Sequence, residues 1–278
     1  FDLYLRGRHH WNQLTPLGTR LALQHFALAT ERDPEYALAW AGQVDAHASS
    51  PITSDAPPTA ARRSATEALA RAQAAGPDLA EVHVSTGFVE FFLEWRWPAA
   101  ARAFETAVER DPSSALAQRM AGVVASHRGD PERARAYLRE ARRLDPYAMH
   151  HALSAMAELH AGDVDAALAF GRQATVLAPN FWIGQYHLAQ ALVEAQRYDD
   201  ALDVLGAIPS NGVNSKVLGL RGYALARAGR QDAAREVVDA LQGLARERYV
   251  PPYATAIVTL GLGDVERCIG ALEDALEV

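Results

Sequence analysis

Apolar residues recur along most of the chain at offsets of three and four, the spacing of one face of an α-helix. Five such stretches line up on a proline: "ALQHFALATERDPEYALAW" (22–40), "ATEALARAQAAGPDLAEVH" (65–83), "AARAFETAVERDPSSALAQ" (100–118), "ARAYLREARRLDPYAMHHA" (134–152) and "ALAFGRQATVLAPNFWIGQ" (167–185). The prolines stand at 34, 77, 112, 146 and 179. Their intervals are 43, 35, 34 and 33 residues, so three are nearly constant and the first holds an insertion. Each proline has an Ala twelve residues upstream and another five upstream, with Phe26, Leu69, Phe104 or Leu138 between them and Gly171 as the exception.

A small–large–small series on one helical face makes a notch that a neighbouring helix can enter closely. Proline cannot continue the helix and so ends it. The next amphipathic segment runs to a small-residue turn such as "RGD" (128–130), "AGD" (161–163), "AGR" (228–230) or "LGD" (262–264). Each unit is therefore a helical hairpin that buries its apolar face only by stacking on the next. The pattern predicts an all-α fold, a right-handed α–α superhelix (solenoid) of about eight hairpins. They fall at 1–32, 35–75, 78–110, 113–143, 147–177, 180–208, 213–246 and 249–277. The array is read as one domain over 1–278, with a sub-boundary near 208–214, and as part of a longer regulatory protein. The in-register recurrence resembles the tetratricopeptide repeat.

Departures from the repeat carry their own expectations. Thr15 is expected as the N-cap of the first unit's second helix with Pro16 in its first turn, and the first helix to run on through "HHWNQL". The polar, Pro-rich "SSPITSDAPPTAA" (49–61) is expected as a mobile lip. The segment "IPSNGVN" (208–214) is the expected place for a change of superhelical path. In "FFLEWRWPAAARAFETAVERDP" (91–112), Pro98 starts a second helix, and Trp95 and Trp97 fall in the preceding turn, at least one of them mostly buried. Cys268 sits at a packing notch, where a buried thiol acts as a small apolar group.

A net charge of −7 over 278 residues and a pI near 5.8 argue against nucleic acid as a partner, because phosphates demand concentrated basic charge. One cysteine permits neither an intrachain disulfide nor a Cys-based zinc site. No run is long enough to span a membrane. The sole lysine is Lys216, and Arg supplies the other fixed positive charge. The pairs His9–His10 and His150–His151 are adjacent, so their rings point about 100° apart and chelate poorly. No metal, cofactor or catalytic motif is read from the chain.

The stretches "LYLRGRHHWNQLTPLGTRLALQHFALATERDPEYALAWAG", "FLEWRWPAAARAF" and "RYVPPYATAIVTLGLGD" are similar to the C-terminal repeat array of bacterial regulators. Those regulators carry an N-terminal winged-helix, adenylate-cyclase or serine/threonine-kinase domain. The resemblance implies a sensing or docking half of a signalling protein in the cytoplasm, or the extracytoplasmic half of a membrane-anchored one. It also implies binding on the concave surface lined by the first helices. By register this surface takes Tyr4, Arg8, Trp11, Asn12, Asp45, Glu81, Phe88, Phe91, Arg119, His127, His150, Tyr186, Gln190, Glu194, Tyr223 and Arg227, with Ser126, Ser154, His160, Lys216 and Tyr253 nearby. The mixed chemistry suits an extended peptide or a protein partner. The Lys/Asn clamp that some relatives use on C-terminal tails is absent, since its places hold Tyr4, Arg8, Val84 and Phe88. The expected function is a non-enzymatic interaction module. The alternatives are a small-ligand sensor for an output domain, and self-assembly through the terminal repeats ("IGALEDALEV").

Overall fold

The computed structural model describes residues 1–276. Among these, sixteen α-helices form eight consecutive hairpins and no strand occurs. The hairpins are α1 (Asp2–Trp11) with α2 (Pro16–Arg32), α3 (Ala37–Thr53) with α4 (Pro58–Ala75), and α5 (Ala80–Phe88) with α6 (Trp97–Arg110). Next are α7 (Ala115–His127) with α8 (Pro131–Leu144), α9 (Ala148–His160) with α10 (Val164–Leu177), and α11 (Trp182–Glu194) with α12 (Tyr198–Gly206). The last are α13 (Ser215–Arg227) with α14 (Gln231–Ala245) and α15 (Pro252–Leu262) with α16 (Val265–Leu276). The first helix of a hairpin packs on the first helix of the next, as α3 on α5, α5 on α7, α7 on α9 and α9 on α11. These first helices make an inner wall, and each second helix wedges against it from outside.

The notch works through glycine. The Phe26 ring of α2 fills the space that a methyl group on Gly7 of α1 or Gly42 of α3 would need. Phe104 of α6 likewise fills the space over Gly87, and Leu138 of α8 the space over Gly122. All three large side chains are fully buried, as are Ala22, Ala100, Ala107, Ala134 and Ala141. Cys268 is buried on α16 as the notch pattern predicts.

Each hairpin turns through one residue in the left-handed region. Gly129, Gly162, Gly229 and Gly263 take that place in the fourth, fifth, seventh and eighth hairpins. Leu14, Asp55, Trp95 and Gln196 take it in the other four, with φ between 50° and 58°. The side chain following three of the glycines caps the second helix: Asp130, Asp163 and Asp264 accept from the N–H of Arg133, Ala166 and Arg267.

Three expectations are met differently. Thr15 Oγ1 accepts from the Gly18 N–H as expected, but α1 stops at Trp11, and Asn12, Gln13 and Leu14 form the turn. The insertion is not a free lip: α3 continues to Thr53, leaving only 54–57 between the helices. Pro51 lies inside α3 and cannot donate to the His47 carbonyl, but the Ser50 hydroxyl does so at 2.7 Å. Of the two tryptophans of "EWRW", Trp95 is 71% exposed, whereas Trp97 is mostly buried against Phe91 and His127, as expected of at least one of them, although it opens α6 instead of lying in the turn. Ahead of that turn, the chain winds into a π-helical turn over Val89–Leu93, which holds one residue more than an α-helical turn would. In the 208–214 segment, α12 ends at Gly206, a 3₁₀ turn spans Ser210–Gly212, and Asn214 caps α13 by accepting from the Val217 N–H.

The superhelix winds tightly enough for its two halves to touch. The first two hairpin turns meet the starts of α9, α11 and α13. The Tyr147 hydroxyl donates to the Asn12 carbonyl at 2.8 Å, and the Trp182 indole donates to the Leu14 carbonyl at 2.7 Å. Asp55 accepts from the Ser215 hydroxyl at 2.5 Å and from the Ser215 N–H at 3.2 Å, with Arg248 at 3.6 Å.

Candidate functional site

The side chains that sequence register selected fall into two groups by burial. The first group is sealed by the chain itself. Trp11, Asp45, Phe88, Phe91, Arg119, His150 and Tyr186 are all buried. Asp45 of α3 pairs with Arg8 of α1 at 2.9 Å and accepts from the Ser85 hydroxyl of α5 at 2.7 Å. Burial raises its pKa, and Arg8 and Ser85 oppose that rise. The Arg8 guanidinium lies over the Trp11 ring, 4.4 Å from its centre, while the Trp11 indole donates to the Ser49 hydroxyl at 3.1 Å. Phe88 packs edge-on to Phe104, and Phe91 edge-on to His127.

The second group keeps access to solvent. Tyr4, Arg8, His127, Gln190 and Tyr223 are half-buried, and Asn12, Glu81, Glu194 and Arg227 are exposed. Tyr253 is exposed on α15. Gln190 bridges the His187 ring at 2.7 Å and the Tyr186 hydroxyl at 3.4 Å. The His127 ring donates to the Val123 carbonyl at 2.9 Å, and the His160 ring lies 4.9 Å away with the Ser126 hydroxyl at 2.8 Å. The Ser154 hydroxyl donates to the His150 carbonyl. Burial holds His127, His150, His160 and His187 below the ordinary histidine pKa, with His150 and His187 both pushed down to about 3. The inner wall therefore carries neutral imidazoles at physiological pH.

Two inner-wall cations differ from the rest. Arg119 of α7 is 8% exposed and its Nε is sealed from solvent without a partner. Burial pulls its pKa down to about 10. Lys216 of α13 lies 5.5 Å from the centre of the Tyr186 ring, and burial lowers its pKa. On the outer helices, by contrast, Arg133 pairs with Glu105, Arg143 with Glu140 and Arg230 with Asp199.

Sequence register did not reveal the residues that bring the two halves together: Tyr147, Trp182, Asp55 and Ser215. Their partners lie 135 to 168 residues away, and nothing in the repeat period encodes such a pairing.

Tetratricopeptide repeat models match residues 96–149, 127–180 and 158–222. No curated protein matches the chain. Among solved structures, the APC/C hetero-tetramer Cut9–Hcn1 superposes with a TM-score of 0.71 at 15% identity, over 99% of this chain and 52% of that one. The chain thus spans about half the length of that relative. A tetratricopeptide repeat protein from Parabacteroides merdae gives 0.59 at 12% identity, covering 94% of this chain and 98% of its own. A thermophilic TPR protein from Thermus thermophilus gives 0.55 at 19% identity, covering 69% and 98%. At such identities the structural likeness speaks for the fold alone. With the in-register hairpins and the notch pattern, the family matches mark residues 96–222 as tetratricopeptide repeats, and the whole chain has the fold of that superfamily.

Proposed function

We propose that the chain is a non-catalytic interaction module whose inner wall receives a peptide or protein segment. The observation that carries this reading is the contrast in charge pairing. Outer-helix arginines pair with neighbouring carboxylates in solvent, whereas Arg119, buried on the inner wall, makes no hydrogen bond or ion pair among the described residues. A buried charge held without a partner is costly, so its retention argues for something to be bound there. The accessible part of the wall in the later hairpins, formed by Gln190, Glu194, Tyr223 and Arg227, gives such a segment aromatic, acidic and basic contacts. Peptides selected on the protein from a random display library should lose at least tenfold in affinity with the double variant Tyr223→Ala/Arg227→Ala. Unchanged affinity would reject this wall as the docking surface. The role as docking or sensory half of a bacterial regulator rests on the sequence resemblance and is part of the same proposal.

Self-association is a second reading, favoured by one feature of the terminal helix. Val265, Ile269, Leu272 and Leu276 form an exposed apolar stripe along α16, and the last repeat of a solenoid needs a polar outer face or a partner. A monomeric mass by light scattering at high concentration would dispose of it.

A further inference from the structure

Arg119 has no local answer to its own charge. It is 8% exposed, its Nε has no partner, and it enters no hydrogen bond or ion pair among the described residues. The groups around it are already committed. Asp45 is held by Arg8 and Ser85. The Tyr147 hydroxyl donates to the Asn12 carbonyl. Asp145 is 54% exposed and lies 3.6 Å from the His150 ring. His150 is buried, and neither of its ring nitrogens has a hydrogen-bond partner. The ring is neutral, so it carries one N–H to donate and one lone pair.

The charges decide what would fit. Arg8, Arg119 and Arg142 stand against Asp45 and Asp145, which leaves one positive charge uncompensated. One monoanion closes that balance. A dianion such as phosphate would meet the fields of Asp45 and Asp145, both of which act on Arg119. The guanidinium fork matches the plane of a carboxylate and can bond it at two points, and the imidazole N–H offers a third donor.

We propose that Arg119, with His150 beside it, is the anchor of a carboxylate-binding site in the inner wall. The carboxylate comes either from a free small acid or from a Glu or Asp side chain of a bound peptide. In the first case the site stands without the peptide-docking reading, and in the second it supplies that reading's acidic contact.

Thermal unfolding in sodium acetate against sodium chloride at equal ionic strength tests the site directly. Acetate should raise the Tm of the wild-type protein above the chloride value, with half-saturation on the order of millimolar for so small a ligand. Arg119→Met should abolish the difference while keeping the helical circular dichroism, because removing an unpaired buried charge is tolerated. Equal responses to acetate in the wild type and the variant, or no acetate effect in the wild type, would overturn the proposal. Should the Met variant not fold, the Arg119 side-chain 15Nε resonance, assigned by its loss in Arg119→Lys, should move on acetate titration of the wild type. A static resonance would overturn it equally. A blocked Gly-Glu-Gly peptide set against its Gly-Gln-Gly counterpart names the source. Tighter binding than acetate by the Glu peptide alone assigns a peptide side chain, and binding of acetate alone assigns a free acid. Failure of both probes rejects the site but leaves docking at Tyr223 and Arg227 to its own test.

Discussion

The residues that set the hairpin turns show how a single φ angle fixes what the repeat can tolerate. Gly162 has φ 80°, and nothing lies within 4 Å of a methyl placed on it. Gly162→Ala should therefore cost about 1 kcal/mol from conformation alone, with no packing contribution. The reverse holds at Gln196, exposed with φ 58°: Gln196→Gly should raise stability by roughly 0.5 kcal/mol in urea unfolding. The glycine turns were legible as "RGD", "AGD", "AGR" and "LGD". The turns at Leu14, Trp95 and Gln196 were not, because these side chains carry no left-handed preference and are held there by the helices on either side. Histidine burial makes a second prediction at this scale. His150 has a folded pKa near 3, below its unfolded value, so the unfolded chain binds the extra proton first. Its contribution is present above about pH 6.5 and is lost as pH falls toward 3, at up to ~1.4 kcal/mol per pH unit. His150→Phe should flatten the fall in unfolding free energy between pH 6 and 4; an unchanged slope would show that the ring is protonated in the fold.

Among the elements, the third hairpin shows most clearly what the periodic pattern can and cannot convey. Ala100, Phe104 and Ala107 form the notch on α6 as the spacing implied, and Phe104 closes over Gly87 with no exposure. Phe104→Ala should cost about 3–5 kcal/mol by chemical denaturation. A loss below about 1 kcal/mol would mean that the notch is not packed as described. The aromatic run ahead of α6 was only half legible. The aromatic crowding was visible, but the π-helical turn over Val89–Leu93 depends on how Phe91 seats against Trp97 and His127 and Phe92 against Phe88 and Phe91. The proline in α3 makes the same point. Read alone, Pro51 ends a helix, but Ser50 supplies the hydrogen bond that Pro51 cannot, and the helix continues.

As a whole, the molecule is a tetratricopeptide-repeat scaffold for protein interaction whose superhelix is closed on itself by three cross-contacts. Stacking of neighbouring hairpins was visible in the sequence because it repeats. The meeting of distant turns was not, because each contact is made once by unrelated residues. Asp55 is the best handle on that closure. Asp55→Ala removes an acceptor for both the N–H and the hydroxyl of Ser215. It should lower stability by roughly 1–3 kcal/mol and speed amide exchange in the first turn of α13, whereas Asp55→Asn should retain most of both.

Whether that inner wall is the working face is best decided by site-specific photo-crosslinking with a display-selected peptide. A benzoylphenylalanine in place of Tyr223 on the inner wall should capture the peptide, while one in place of the exposed Val176 on outer helix α10 should not. Capture at Val176 with none at Tyr223 would contradict the account.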